Sequence, residues 1–198
     1  MKLIAKSVAI AVLGFALIGC GSDDDNYTGT FIDGPVDGVT YTCGRKEGKT
    51  ANGGKFTCEV GSGNVTFSLG KLKLLEVAEE KVKEVNKEVF VGDVLPAEDA
   101  KKVAMVILAV SKADPGTTDV IKLPDNVDDI INEVIEAKAD DTVEVVDLAS
   151  LDTTEVLEVI EEAHDVAPEV VAIVDEDDAE EHLEAVEEEL ESDTTGAE

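Results

Sequence analysis

The sequence predicts an α+β protein, in which a small disulfide-clipped antiparallel β module is followed by a mainly helical acidic domain. Two segments, 55–60 and 65–69, alternate apolar and polar side chains as half-buried strands do. Residues 100–110 are apolar on nearly every side, which indicates a buried helix. The clearest helical pattern has apolar residues at i, i+3, i+4, i+7 and i+8; these are Val127, Ile130, Ile131, Val134 and Ile135.

Residues 1–19 have the features of a cleavable export signal. Lys2 and Lys6 precede an apolar core at 8–18, which is too short to span a bilayer permanently. The core ends in Leu-Ile-Gly-Cys20, which resembles the lipobox of bacterial lipoproteins. The resemblance implies that the signal is removed and that Cys20 carries the lipid, with palmitate among its acyl chains. An ordinary secretory signal with an incidental cysteine is the alternative.

Residues 20–29 are predicted to be an acidic tether between the lipid and the first folded part. Gly21 rather than Asp follows the cysteine, which resembles lipoproteins of the outer membrane. The acidic run 23–25 also resembles surface-export signals of some bacteria. The expected location is therefore the outer membrane, with the periplasmic face and the cell surface both open.

The β module is predicted at 30–77, with a final strand around Leu72 and Leu74. After Cys20 is assigned to lipid, Cys43 and Cys58 remain as an even pair in an exported chain, which predicts one disulfide. Two free thiols or half of a metal site are the alternatives. No His or further Cys lies near the pair to complete such a site.

Several segments of this region resemble small bacterial surface modules. Residues 33–41 resemble a "GPV-x-GV-x-Y" strand, and 48–56 resemble the "G-x-T-x-x-x-G-x-F" turn and strand that follows it. Residues 65–70 resemble the closing "V-x-F-x-x-G" strand. The resemblance implies a β-sandwich of the transthyretin-like or carboxypeptidase-regulatory-like kind. It implies no activity, because such modules mostly serve as spacers and stalks.

The rest of the chain is predicted as a charged connector at 78–95, the helical acidic domain at 96–191 and a disordered tail at 192–198. Pro96 stands where a helix begins, and Asp152 with Glu155 form a plausible capping pair for a later helix.

The last helix is predicted to be capped by Asp177 or Asp178. Its apolar face consists of Ala179, Leu183, Val186 and Leu190.

The charge of the chain excludes one class of partner. The formal net charge is −30, so binding to DNA or RNA is not expected. Residues 139–198 contain 24 acidic residues and no Lys or Arg, which favours attraction of cations or of a basic protein partner.

The most specific cation-binding prediction is a calcium site, with Asp177 and Asp178 as the predicted ligands. The alternative is that both residues only cap the helix. His164 and His182 are expected to be structural or solvated, and Ser111 and Ser150 lie in no nucleophile motif.

The expected function is that of a non-catalytic, lipid-anchored envelope protein with a structural or interaction role. A cation- or ligand-binding lipoprotein is the alternative.

Overall fold

The computed structural model describes residues 26–84, 88–138 and 145–195. The strands in these ranges are β1 (Asn26–Ile32), β2 (Val36–Asp37), β3 (Thr40–Cys43), β4 (Lys46–Lys49), β5 (Lys55–Glu59), β6 (Val65–Leu69), β7 (Leu72–Val77), β8 (Glu88–Phe90), β9 (Ile121–Lys122) and β10 (Val146–Asp147). The helices are α1 (Glu79–Glu84), α2 (Val91–Val94), α3 (Ala97–Ser111), α4 (Val127–Lys138), α5 (Thr153–Val166) and α6 (Glu176–Thr195), with one 3₁₀ turn at Leu148–Ser150. The α+β class is confirmed.

The strands form two larger sheets and one small pairing. The five-stranded sheet has the order β10-β7-β6-β3-β4, and the three-stranded sheet has the order β5-β1-β8. Strands β2 and β9 pair with each other. The pairs formed within 26–77 are antiparallel, whereas β8, β9 and β10 each join an earlier strand in parallel.

Aromatic rings and the disulfide join the two larger sheets. Phe31 and Phe56 of the three-stranded sheet both contact Phe67 of the five-stranded sheet, with ring centroids 4.8 and 5.1 Å apart. The predicted disulfide is confirmed: Cys43 on β3 is bonded to Cys58 on β5. The sheets therefore share one apolar interior that is also linked covalently.

The segments that resemble surface modules have structural roles in this chain. Gly54 has a φ of +75°, and a Cβ there would lie 2.3 Å from the carbonyl oxygen of Phe31, so the position needs glycine. Its amide donates to a carboxylate oxygen of Asp37 at 2.8 Å. The buried Thr50 hydroxyl donates to the carbonyl oxygen of Val36 at 2.6 Å. These contacts fix the loop between β4 and β5 against β1 and β2.

Helix α3 is the centre of the helical region, as the apolar run at 100–110 predicts. Every residue of that run except Lys101 is buried. Pro96 occupies the N-cap position, and Lys112 ends the helix in the left-handed conformation. Helices α5 and α6 pack against α3, and the amide of Ala172 donates to the carbonyl oxygen of Ala109 at 2.8 Å. That bond holds the non-helical segment 171–175 against the end of α3.

Helices α4 and α5 also confirm their sequence patterns. The five apolar residues of the predicted stripe on α4 are all buried. Asp152 and Glu155 form a complete capping box at the start of α5, in which each side chain accepts from the other residue's amide, at 2.9 and 2.8 Å. Asp128 of α4 accepts from the amide of Gly70 at 2.8 Å, so this helix is docked on the β6–β7 turn.

The predicted separation into a β module at 30–77 and a helical domain at 96–191 does not hold. Buried residues from both parts belong to one continuous apolar core. The segment 78–95, predicted as a connector, contributes α1, β8 and α2, and β8 completes the three-stranded sheet. The parallel pairings explain the error, because each of them joins residues far apart in the chain.

Two predicted boundaries also need correction. Residues 26–29, predicted as part of the tether 20–29, belong to β1 and pair with β5. The tail predicted at 192–198 is helical as far as Thr195, where α6 ends. Within the described ranges, no helix is both long enough and apolar enough to cross a bilayer.

Candidate functional site

Helix α6 carries the strongest charge asymmetry of the molecule. Its 20 residues extend over about 30 Å. One face is turned to the protein through Ala179, His182 and Val186, which are buried, with Leu183 and Leu190 partly buried. The remaining positions are largely glutamate and aspartate exposed to solvent. The apolar face predicted from the sequence is confirmed.

Few basic side chains neutralise these carboxylates. Lys101 of α3 pairs with Glu180 at 2.8 Å. Lys138, the last residue of α4, pairs with Glu158 of α5 at 3.0 Å and with Glu162 of α5 at 3.2 Å. No other acidic residue of α5, or of α6 up to Glu189, forms an ion pair within the described ranges. The outer surface of these helices is therefore strongly negative.

The imidazole of His182 is fully buried and fixes α6 to the rest of the protein. Its Nδ1 lies 3.0 Å from the carbonyl oxygen of Pro115, and its Nε2 lies 2.8 Å from the carbonyl oxygen of Asp33. A carbonyl oxygen can only accept, so both ring nitrogens are best satisfied as N–H donors. The geometry therefore favours the doubly protonated imidazolium.

The carboxylate of Asp33 is the counter-charge in this cluster. One of its oxygens lies 3.9 Å from His182 Nε2, and the residue has no exposed surface. Neither oxygen accepts a hydrogen bond from the described residues. Burial raises the pKa of the Asp33 carboxyl to about 6, and the positive charge of His182 offsets part of that rise. We call Asp33, His182 and the Pro115 carbonyl the buried clasp of α6.

A groove lies between α6 and the segment formed by α2 and the start of α3. Its volume is about 250 Å³. The lining is apolar at the floor and mostly acidic at the rim; it consists of Phe90, Gly92, Asp93, Ala97, Ala100, Lys101, Glu180, Leu183, Glu184 and Glu187. We call this the α6 groove.

A second cavity of about 230 Å³ lies where α4, α5 and β10 meet. Ile135, Val146, Leu151 and Val159 provide its apolar walls. Its charged residues are Lys138, Glu155 and Glu158, and the lysine is paired with Glu158. Since Glu155 also accepts the amide of Asp152 in the capping box, this cavity has little unpaired charge.

The predicted calcium ligands lie at the start of α6. Asp175 accepts from the amides of Asp177 and Asp178 at 3.0 and 3.1 Å, and Asp178 accepts from the amide of Asp175 at 3.1 Å. The N-cap is therefore Asp175, with Asp178 as its partner, rather than Asp177 or Asp178 alone. Within the described residues no three His, Cys, Asp or Glu side chains are grouped so as to hold a metal ion. Calcium binding by Asp177 and Asp178 stays a prediction.

The other predicted residues fall into two groups. Cys20 lies outside the described residues, so its lipidation stays a prediction. His164 has a structural contact, because its Nδ1 lies 2.8 Å from the carbonyl oxygen of Val171. His182, expected to be structural or solvated, is structural, and no pattern in the sequence indicates its partner. Asp33 is 149 residues away in the chain, and only the folded structure brings the two together.

Comparison of the chain with protein-family models, with characterised proteins and with solved structures gives no match, so function has to be inferred from the residues and their geometry.

Proposed function

We propose that this chain is a lipid-anchored protein of the bacterial outer membrane, with a non-catalytic structural or interaction role. In this proposal, lipid on Cys20 holds the protein at the membrane, and the acidic helix α6 is presented to a basic protein partner. The lipobox-like sequence supports the anchor, and the charge of α5 and α6 supports the partner.

The position of β1 is the observation that carries the proposal. Five residues separate Cys20 from Asn26, so the first strand would start within about 20 Å of the lipid. Strand β1 then extends about 20 Å from Asn26 to Ile32. Asp33, the next residue, contacts His182 of α6. The anchored end and the contact with the acidic helix are thus at opposite ends of one strand.

Electrostatics favours a basic protein over other partners. Anionic headgroups and nucleic acids repel a surface on which most carboxylates have no basic neighbour. A partner rich in Lys and Arg is attracted to it, and the attraction weakens with added salt. The association rate with such a partner should therefore fall steeply with ionic strength.

A non-catalytic role is supported by the surroundings of the most strongly perturbed carboxyl. Catalytic acids and bases need a shifted pKa at a place that substrate can reach. The pKa of Asp33 is shifted, yet its side chain is enclosed and faces the histidine that fixes α6. The shift is thus accounted for by the burial of this carboxyl inside the protein.

The anchor is tested by the variant Cys20→Ser, expressed in a bacterial host from the full gene. The wild-type chain should incorporate labelled palmitate and stay with the membrane fraction after a high-salt wash. The variant should do neither, because the acylated thiol is missing. Membrane retention of Cys20→Ser after the same wash would contradict lipid anchoring.

The orientation is tested by protease treatment of intact cells, followed by detection of the acidic C-terminal region. Loss of the signal in intact cells would place the partner outside the cell. Protection until the outer membrane is opened would place the partner in the periplasm. Protection that persists after the outer membrane is opened would contradict an outer-membrane location.

A further inference from the structure

We infer that the α6 groove is the docking site for a cationic amphipathic helix of a protein partner. An apolar side chain of the partner enters the groove, and its Lys or Arg side chains pair with the acidic rim. This inference rests on the proposed function, because it specifies where and how the basic partner binds.

The floor of the groove suits an apolar side chain. Phe90 and Leu183 line it with large apolar side chains. Ala97 and Ala100 also line it, and their small side chains leave space between the larger ones. A Cβ at Gly92 would lie 2.7 Å from Cε1 of Phe90, so the missing side chain allows the ring to lie there. The volume, about 250 Å³, is below the roughly 300–1,000 Å³ typical of small-molecule pockets. It fits one or two anchoring side chains of a protein instead.

The rim has an excess of negative charge that the protein does not neutralise itself. Glu180, Glu184 and Glu187 follow one another on one face of α6, and Asp93 lies on the opposite side. Lys101 pairs with Glu180. The other three carboxylates have no ion-pair partner among the described residues. Charge complementarity therefore requires a partner that carries at least two or three positive charges near an apolar group.

The shape of the apolar surface indicates a helix. Leu183 and Leu190 are seven residues apart, so they lie on the same side of α6 and about 10 Å from each other. Both are partly buried and pack against Phe90 and Val186, and Leu183 also packs against the main core. The apolar strip thus extends along α6 from Leu183 in the groove to Leu190, about one turn past Glu187. A helix with apolar residues at i, i+3 or i+4, and i+7 matches that length.

Two variants on α6 separate the groove from the general charge of the helix. Glu184→Gln with Glu187→Gln removes two charges from the rim. Glu181→Gln with Glu188→Gln removes two charges from exposed positions that do not line the groove. Both double variants change the net charge equally. A third variant, Ala97→Trp, fills the groove from an exposed position without changing the charge.

The probe is a short synthetic helix with Leu on one face and Lys on the other, compared with the same peptide in which Ser replaces each Leu. The full chain, purified in a non-ionic detergent, is titrated with each peptide at low and at physiological salt. Circular dichroism of every variant confirms that the helices are intact.

The Leu peptide should bind the wild-type protein about tenfold more tightly than the Ser peptide does. The rim variant should weaken binding of the Leu peptide about tenfold, and the control variant about twofold at most. Ala97→Trp should remove the preference for Leu.

Three results would overturn the inference. Equal binding of both peptides, with equal losses in the two double variants, would leave a basic partner for the acidic surface but exclude the groove. Absence of binding by either peptide at low salt would contradict the proposed basic partner as well. Dimerisation of the free protein that Ala97→Trp abolishes, seen by sedimentation, would assign the groove to a second copy of the chain.

Discussion

The β region at 26–77 and the helical region at 97–195 bury their interiors by different means. The β region uses large aromatic rings and a disulfide, and both described tyrosines lie in it. The helical region contains no Phe, Tyr, Trp or Cys, and its buried residues are mostly Val, Ile, Leu and Ala. The interior of the β region therefore depends on a small number of specific contacts. The interior of the helical region depends on aliphatic stripes that repeat with the helical period.

The two regions differ even more in charge. Residues 26–77 contain six basic and five acidic residues, whereas 97–195 contain five basic and 32 acidic residues. The shared core joins a nearly neutral part to a strongly negative one. The acidic residues are therefore concentrated in the helical region rather than spread evenly along the chain.

The largest expected effect comes from a cavity in the shared core. Ile107→Ala on α3 should lower the free energy of unfolding by about 2–5 kcal/mol, since this side chain has no exposed surface. Tyrosine fluorescence reports the β region, and circular dichroism reports mainly the helices. Both signals should shift to lower denaturant together, because the two regions share the core.

Ile173→Ala is the matched control, because that side chain is 55 % exposed. It should change the free energy of unfolding by less than about 0.5 kcal/mol. Loss of the helical signal well before the tyrosine signal in Ile107→Ala would show that the regions unfold independently.

The disulfide gives the next largest effect. Cys43→Ser with Cys58→Ser should lower the free energy of unfolding by about 3 kcal/mol, because the closed loop spans 15 residues. Denaturant unfolding with and without a reducing agent measures this. The wild-type protein should respond to the reducing agent, whereas the double variant should not. An identical response of both proteins would contradict a stabilising disulfide.

The buried clasp predicts a pH effect of intermediate size. The folded-state pKa of Asp33, about 6, lies above its ordinary value of 3.8, so the folded protein retains this proton longer than the unfolded chain does. Its contribution to stability is therefore fully present below about pH 4 and is lost as the pH rises through 6. Between about pH 4 and 6, the free energy of unfolding of the wild-type protein should fall by about 1 kcal/mol per pH unit relative to that of Asp33→Asn.

Asp119→Asn makes the same chemical change at an exposed position. Its free energy of unfolding should follow that of the wild-type protein across the window. Parallel stability curves for wild type and Asp33→Asn between pH 4 and 6 would show that burial does not raise the pKa of this carboxyl.

The smallest effects concern the ends of α6. The last turn of this helix has no basic residue, and the first turn carries Glu176, Asp177 and Asp178. Asp193→Lys in the last turn should stabilise the protein by about 0.3–1 kcal/mol, through the helix dipole. Glu176→Lys makes a similar change of charge in the first turn and should destabilise it. Thermal unfolding at low salt measures both, and equal shifts of the two would mean that only net charge matters.

Local patterns were predicted from the sequence, and distant pairings were not. The capping box of Asp152 and Glu155 depends on residues three apart, and the stripe of α4 depends on the helical period. Both can therefore be predicted from the local sequence. The Cys43–Cys58 pair followed from counting cysteines. Strands β9 and β10 are two residues long, and two residues show no periodicity. The contact of His182 with Asp33 depends on the complete fold.

The parallel pairings have a consequence for how the chain acquires its structure. Strand β1 needs β8, β2 needs β9 and β7 needs β10, so none of the three early strands is fully paired until residues 88–90, 121–122 and 146–147 have arrived. Contacts of such long range are formed slowly. Under the proposed export from the N-terminus, these strands would stay incompletely paired while most of the chain is still crossing the membrane, and their exposed edges would be open to aggregation during that time.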